Sequence, residues 1–344
     1  MARHIAGMSM TLFQKLAIAA LVSVLVLMFV GATVRVSGSG MGCPDWPKCW
    51  GQLIPPTSAE QVDFDALPIE VFQRKAAWMG RDPDEVTPET LREIFNPRHV
   101  WTEFVNRLTS LPVGFFALAT LVASFWHLRR RPWVFVCALA SVIVIGVNAW
   151  MGARVVFSGL QPGVITAHLA LAMGLLGLLV YCAWAGTPEP WRVKMGNARA
   201  HRATRISVLV LLFVIILEGV GGAQVRELTD ELAKEYNNAP RETWVAELEE
   251  SWWYVTHRSF SWAVLAAALV AYVYSWRHRI GGVGLVEHTV FGIVMMQMVL
   301  GLIMAQFGIF SWVQVLHVGL AAILLAMTWL WWFGLTREKA PAGD

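Results

Sequence analysis

Charged residues are scarce in this sequence. Aspartate, glutamate, lysine and arginine together make up only 15% of its 344 residues, whereas apolar residues make up 56%. The net charge is +3, and the chain has no basic patch or base-stacking motif, which excludes a nucleic-acid partner. The apolar residues fall in runs of roughly 20, separated by short charged stretches, which is the length that an α-helix needs to cross a bilayer. The composition therefore indicates an integral membrane protein and not a pair of soluble domains.

Cysteine is scarce as well. Cys137 and Cys182 lie within apolar runs, where we interpret them as small buried side chains. Cys43 and Cys49 lie in the first loop on the outer side, where an oxidising compartment permits a disulfide. That loop supplies too few thiols or imidazoles for a structural zinc site. We favour a structural bridge, although exchange with a thiol partner is the alternative.

Eight apolar runs are predicted to cross the membrane, and the fold class is therefore all-α. They cover residues 13–34, 103–127, 133–154, 163–185, 205–225, 253–276, 284–307 and 311–334. The first is too long for a removed signal peptide and lacks a small-residue cleavage site, so we expect it to remain as a helix. Lysine and arginine crowd alternate loops, which predicts that both termini are cytoplasmic.

The eight runs are predicted to form two tandem four-helix bundles, residues 1–190 and 191–344. Runs three and four align with runs seven and eight at one constant spacing. In this alignment Asn148 corresponds to Gln297, Gly152 to Gly301 and His168 to His317. Runs one and five end alike, in Gly31-Ala32-Thr33-Val34-Arg35 and Gly222-Ala223-Gln224-Val225-Arg226. Because four helices return the chain to its starting side, the halves are related by a pseudo-twofold axis along the membrane normal.

The two long outer loops carry most of the remaining charge. Residues 35–102 contain a predicted short surface helix after Thr87-Pro88. The counterpart, residues 226–251, carries eight acidic side chains, Glu227 and Asp230 among them. We interpret these charges as solvated faces of amphipathic helices.

Three histidines and one asparagine occupy equivalent places inside the membrane. Asn106 and His257 lie roughly four residues inside their runs, and His168 and His317 roughly five, so at about 1.5 Å per residue all four lie near one level. A lone histidine in such a place is often a hydrogen-bonded core residue. Three at matched depth favour ligation, since facing imidazoles on neighbouring helices are typical ligands of a metal macrocycle. The pair predicted to share one is His257 and His317.

Arginines and two acids mark the same region. A guanidinium suits carboxylates such as haem propionates, and the candidates at the outer level are Arg35, Arg107, Arg226 and Arg258, whereas Arg154 is predicted to reach the lipid headgroups. Glu103 shares a helix face with Asn106, three residues later, and is a candidate proton carrier. The alternative is a solvated acid near a helix N-terminus. Glu218, inside run five, is a second intramembrane acid without an assigned role.

In combination these residues resemble the haem A synthase family of integral membrane oxidases. The resemblance covers nearly the whole chain and rests on four features: the two four-helix halves, the Gly31–Gly40 segment leaving helix one, the Glu-x-x-(His/Asn)-Arg pattern at Glu103–Arg107, and the intramembrane histidines. The pair Cys43 and Cys49 resembles that of members with two cysteines in this loop.

The resemblance implies conversion of haem O to haem A, by oxidation of a ring methyl to a formyl group, for terminal oxidase assembly. It implies a haem b between His257 and His317. Haem O as substrate is expected in the other half, bound by His168 and Arg107, with Glu103 near the reacting edge. Implied partners are a haem O synthase, oxidase assembly factors and an electron donor such as a quinol. The implied location is the cytoplasmic (inner) membrane of a bacterial-type cell.

Asn106 departs from the family pattern, in which many members have a ligating histidine here. An amide is a poor ligand for haem iron, so the sequence predicts His168 as the only protein ligand of the substrate. Asn106 would then face an open coordination site as part of the catalytic machinery with Glu103. The alternative is that Asn106 merely caps and packs.

Two other classes of protein are open at this point. A diheme-type membrane cytochrome b that oxidises quinol requires paired histidines in both halves, and Asn106 interrupts one pair. A haem transporter or chaperone has no use for a tightly bis-ligated haem or for Glu103.

The lysine and arginine pattern predicts the topology directly. Reporter fusions at Asn197 and Asn237 are expected to report opposite sides of the membrane, because the first follows a basic loop and the second lies in the acidic one. Activity of both reporters on one side would contradict the eight-helix arrangement.

Overall fold

The fold is a bundle of long helices. The computed structural model describes residues 10–45, 47–78, 82–157, 163–236 and 239–336, and these residues contain helices and no strand. Eight helices in this part of the chain are long and apolar enough to cross a membrane. We number them α1 to α8: Leu12–Val36, Pro97–Ser124, Pro132–Phe157, Val164–Ala185, Ala198–Glu235, Trp252–His278, Leu285–Gln306 and Ser311–Gly334. The predicted all-α fold with eight spans is confirmed.

Two helices extend beyond their apolar runs. The second begins at Pro97 and not near residue 103, because the Asn96 side chain accepts from the backbone N–H of Arg98 at 3.0 Å and caps the helix. The fifth continues to Glu235, ten residues past the predicted end at 225. Apolarity marks where a helix lies in lipid, but the helix itself ends where its capping and backbone hydrogen bonds end.

The main core lies where α1, α4, α5 and α8 meet. Val24, Leu176, Leu211 and Leu325, one from each of these helices, are all buried there. The outer helices keep large apolar side chains on their surface, such as Trp262, which is 64% exposed. In a bilayer these side chains face lipid, so the exposed apolar surface carries no cost there.

Helix contacts repeat from one half to the other. In residues 1–190, α1 and α3 each pack against α2 and α4; in residues 191–344, α5 and α7 each pack against α6 and α8. Between the halves, α1 packs on α8, α5 on α4, and α4 on α8. This pairing is what two tandem four-helix units require, while the pseudo-twofold operator and the two-domain division stay predictions.

The first outer loop folds into a small cap above α1 and α2. Trp50, Phe64, Phe72 and Leu91 form its buried core. The cap contains the short helices Ile69–Trp78 and Pro88–Ile94. The second of these confirms the surface helix predicted after Thr87-Pro88, and the Thr87 hydroxyl caps it by accepting from Thr90 N at 3.3 Å.

The opposite end of the bundle is held by the linker between the halves. Val193 N donates to Gly334 O, and Gly196 N donates to His278 O, each at 2.8 Å. Nearby, Arg279 forms an ion pair with Glu287, whose side chain is fully buried. Gln14, in the first turn of α1, donates to Ala183 O near the end of α4 at 3.4 Å. The start of α1 and the end of α8 therefore lie at the same end of the bundle, and the cytoplasmic orientation of that end stays a prediction.

A pair of glycine substitutions tests the packing between the halves. A Cβ at Gly319 on α8 would run into the ring of Phe29 on α1, whereas a Cβ at Gly292 on α7 would meet nothing within 4 Å. Gly319→Ala is expected to destabilise the protein by about 1–3 kcal/mol through overpacking. Gly292→Ala is the matched control and is expected to be neutral or up to about 1 kcal/mol stabilising.

The measurement is thermal unfolding of the detergent-solubilised variants. Equal melting temperatures for Gly319→Ala and the unsubstituted protein would contradict the tight α1–α8 contact.

Candidate functional site

His257 on α6 and His317 on α8 face each other inside the second half. Their ring centroids are 6.4 Å apart and their planes are inclined at 82°. Imidazole nitrogens bind metals at about 2 Å, so two rings that share one metal have centroids about 6 Å apart. The structure thus brings together the two histidines that the sequence predicts as a pair, at a spacing that fits a shared haem iron.

In the part of the chain that the structure describes, the surroundings of this pair leave both imidazoles without a competing hydrogen bond. Nδ1 of each ring is buried and has no hydrogen-bond partner among the described residues. Gly222 on α5 gives the His257 ring its space, since a Cβ there would lie 3.1 Å from Cε1. Gln297 Nε2 donates to the backbone O of His317 at 2.8 Å and ties that turn of α8 to α7. Two facing imidazoles at this spacing fit a bis-imidazole haem.

The first half has the same construction with one different side chain. His168 on α4 lies against Gly152 on α3, where a Cβ would be 3.4 Å from its Cε1. Asn106 on α2 faces Gly31 on α1, where a Cβ would be 3.8 Å from Oδ1. Within the described part of the chain, His168 Nδ1 and Asn106 Oδ1 are both buried without a hydrogen-bond partner. An imidazole and an amide therefore stand where the second half has two imidazoles.

Glu103 is buried, with only 3% of its surface exposed. Its Oε2 accepts from the backbone N–H of Cys43 at 2.7 Å, and its Oε1 lies 2.6 Å from Arg107 Nη2. The alternative interpretation of Glu103 as a solvated acid is wrong, because the outer cap covers it. The carboxylate is held rigidly one turn from Asn106.

Arg107 anchors the loop closed by the disulfide. Its Nη1 donates to the backbone oxygens of Asp45 at 3.1 Å and Lys48 at 2.9 Å, and its Nη2 to that of Cys43 at 2.7 Å. The Cys43–Cys49 disulfide itself is formed, which confirms the predicted bridge. With both terminal nitrogens engaged, Arg107 serves the loop in this structure, and the predicted contact with the substrate stays a prediction.

Arg35 and Arg226, at the equivalent ends of α1 and α5, converge on one carboxylate. Asp230 Oδ2 lies 2.6 Å from Arg35 and Oδ1 lies 2.9 Å from Arg226. Arg226 also donates to Gln314 Oε1 at 3.2 Å. The interpretation of Asp230 as a solvated acid is wrong, since it joins the two halves. The two arginines and the aspartate together carry one net positive charge, which is available to a propionate, and this role of the arginines stays a prediction. Arg258, another candidate, is exposed.

Glu227 is the side chain whose surroundings the sequence analysis misjudged most clearly. Only 5% of it is exposed, and its carboxylate accepts from Gly163 N and Thr166 N, each at 3.1 Å, and from the Thr166 hydroxyl at 2.9 Å. It thereby caps the start of α4, the helix that carries His168. The interpretation of Glu227 as a solvated acid is wrong, because α5 extends past its apolar run to Glu235 and brings Glu227 against the first turn of α4. The sequence signal that could have indicated a buried role is that Glu227 directly follows Arg226, at the end of an apolar run.

Comparison with known proteins gives the family. The sequence matches COX15-CtaA, described as cytochrome oxidase assembly protein, over residues 14–329. The chain belongs to the COX15-CtaA family.

Relatives in this family extend over nearly the same length. The Heme A synthase of Novosphingobium aromaticivorans is 28% identical over 334 residues, which is 89% of each chain. The Heme A synthase of Caulobacter vibrioides is 28% identical over 88% of this chain and 90% of its own. That of Rhizorhabdus wittichii is 26% identical over 93% and 92%.

The contacts of Arg107 with the disulfide loop can be tested by comparing Arg107 with Arg258, the arginine at the equivalent position of the other half. Arg107→Ala removes its hydrogen bonds to the loop, and a hydrogen bond from a charged group contributes about 1.5–3 kcal/mol. Since 1.4 kcal/mol is a factor of ten, dithiothreitol is expected to reduce the Cys43–Cys49 bridge at least about tenfold faster. Arg258→Ala, at the exposed equivalent position, is expected to leave the rate unchanged.

The rate is measured by alkylation and mass spectrometry of the loop peptide. Equal reduction rates in the two variants would show that Arg107 does not hold the loop closed.

Proposed function

We propose that the protein is a haem A synthase, which oxidises a ring methyl of haem O to the formyl group of haem A. Membership of the COX15-CtaA family and the full-length relatives support this activity. The observation that carries it is the facing pair His257 and His317, 6.4 Å apart between ring centroids, in one half only. The first half, with one imidazole and one amide, suits a haem that is bound, changed and released.

The resident group proposed for the second half is a haem b held by His257 and His317. When bound, it would carry single electrons between the substrate site and an external redox partner, a quinol–quinone couple or another carrier. The chain itself supplies the two imidazoles and the space over Gly222. Arg35, Arg226 and Arg258 are the proposed cations for propionates, and the first two are already placed together by Asp230.

The substrate haem O is proposed to bind in the first half against His168. Glu227 stabilises that position, because it caps the helix on which His168 lies. Asn106 presents its amide from the opposite helix, with the free Oδ1 available to hydrogen-bond whatever lies beside the substrate iron. Glu103, fixed by Cys43 N–H and Arg107, is placed to accept or deliver protons as the methyl is oxidised.

The setting follows from the same chemistry. The chain is a multi-pass membrane protein, and we propose the bacterial cytoplasmic membrane with both termini inside. A haem O synthase would supply the substrate, and terminal oxidase assembly factors would receive haem A.

Pigment analysis of variants in cells that coexpress a haem O synthase tests the proposal. His257→Ala and His317→Ala are each expected to lose the low-spin b-type spectrum, because one imidazole cannot provide both axial ligands. His168→Ala is expected to lose the substrate haem while keeping that spectrum. Glu103→Ala is expected to bind haem O but to accumulate it, or a hydroxylated intermediate, and Asn106→His is expected to fold.

A matched control is His288→Ala. His288 lies in the first turn of α7 and hydrogen-bonds Tyr272, which is far along α6 from His257. This variant is expected to leave both the spectrum and the yield of haem A intact. Unchanged b-type spectra in both ligand variants, or an ordinary yield of haem A from Glu103→Ala and His168→Ala, would contradict the proposed function.

A further inference from the structure

Glu218 lies in the middle of α5, beside one of the two facing histidines. Its Oε1 is 3.2 Å from His257 Nδ1, within ion-pair distance, although the angles fall short of a hydrogen bond. Among the residues that the structure describes, no lysine or arginine pairs with this carboxylate. An intramembrane acid is costly and normally serves a function. The nearest group with which Glu218 can compensate that cost is the His257 ring.

The His257 ring lies across one face of α5 that Glu218 shares with two glycines. Gly221 and Gly222 follow Glu218 by three and four residues, so all three are on the same side of the helix. A Cβ at Gly221 would be 3.9 Å from Nδ1, and one at Gly222 would be 3.6 Å from Nδ1. The glycines let the ring approach the backbone, and the carboxylate stands at its Nδ1 edge. This face, Glu218-Gly221-Gly222, forms a socket for an imidazole in one orientation.

The first half provides an internal comparison. The residues of α1 that correspond to the socket are Leu27, Val30 and Gly31, and the side chain that faces them is Asn106. Gly31 is kept, so the space is kept, but the carboxylate is replaced by Leu27. The carboxylate and the imidazole thus occur together in the second half and are both missing from the equivalent positions of the first.

We infer that Glu218 is a positioning residue that fixes the orientation and tautomer of His257. By accepting from Nδ1–H, it leaves Nε2 as the nitrogen that binds iron. A carboxylate behind a ligating imidazole is a common arrangement at metal sites, and its loss typically lowers affinity about 10–100-fold. This inference rests on the proposed haem b between His257 and His317. The 3.2 Å approach needs only a small rotation of the carboxylate to become a hydrogen bond.

Two substitutions of Glu218 separate its roles. Glu218→Leu installs the residue of the other half and removes the acceptor, so haem b is expected to bind the purified protein about 10–100-fold more weakly, with altered low-spin EPR g values because the ring is free to turn. Glu218→Gln keeps a carbonyl acceptor without the charge. It is expected to retain affinity and g values, with a higher reduction potential because a neutral acceptor polarises the imidazole less. Glu231→Gln, an exposed acid further along α5, is the control and is expected to change none of these.

Each outcome bears on a definite claim. If Glu218→Leu keeps wild-type haem affinity and g values, the positioning role is overturned. It is also overturned if both variants keep wild-type affinity and show the same shift in reduction potential, because that result indicates an effect of charge alone. If Glu218→Leu does not fold, an unchanged potential in Glu218→Gln overturns the inference. A wild-type protein without a bis-imidazole EPR signal would instead contradict the proposed haem site, and the two failures are therefore distinguishable.

Discussion

Hydrocarbon offers no water, so polar groups within this bundle have to find partners in the protein itself. Backbone groups are satisfied within the long helices, and two buried carboxylates accept from further backbone N–H groups, one at a helix start and one in the outer loop. Glu227 closes the start of α4, and Glu103 accepts from the loop that precedes α2. Each carboxylate reaches across from a different element, so the same contacts that remove unpaired groups also fix the helices that carry His168 and Asn106.

The same constraint makes unpaired groups informative. Nδ1 of His168, His257 and His317 and Oδ1 of Asn106 are buried and make no hydrogen bond in the part of the chain that the structure describes, although Glu218 Oε1 lies 3.2 Å from His257 Nδ1. A buried polar group without a partner costs about 1–3 kcal/mol. No hydrogen bond from these four atoms ties the side chains to other parts of the described chain, which supports the proposal that they face ligands the chain does not itself contain.

Helix contacts and sequence motifs recur between the two halves, and single side chains differ at equivalent positions. Arg107 and Arg258 hold equivalent positions, yet the first anchors a disulfide loop and the second is exposed. Glu218 faces His257, whereas Leu27 stands at the position equivalent to Glu218. The halves still act as one unit, because Asp230 binds an arginine from each and Glu227 of the second half caps a helix of the first.

The sequence by itself determined the eight spans and showed the motifs that recur among them, because hydrophobic length and residue patterns are local properties of the chain. It also paired His257 with His317, since the repeat places them. Only the tertiary structure decided what Glu227, Asp230 and Arg107 do. Their partners lie in other elements, 195 residues away for Arg35 and Asp230, and an acid beside polar neighbours looks the same in a sequence whether it is solvated or buried. Charge is visible in a sequence, but its partner is set by packing between distant helices.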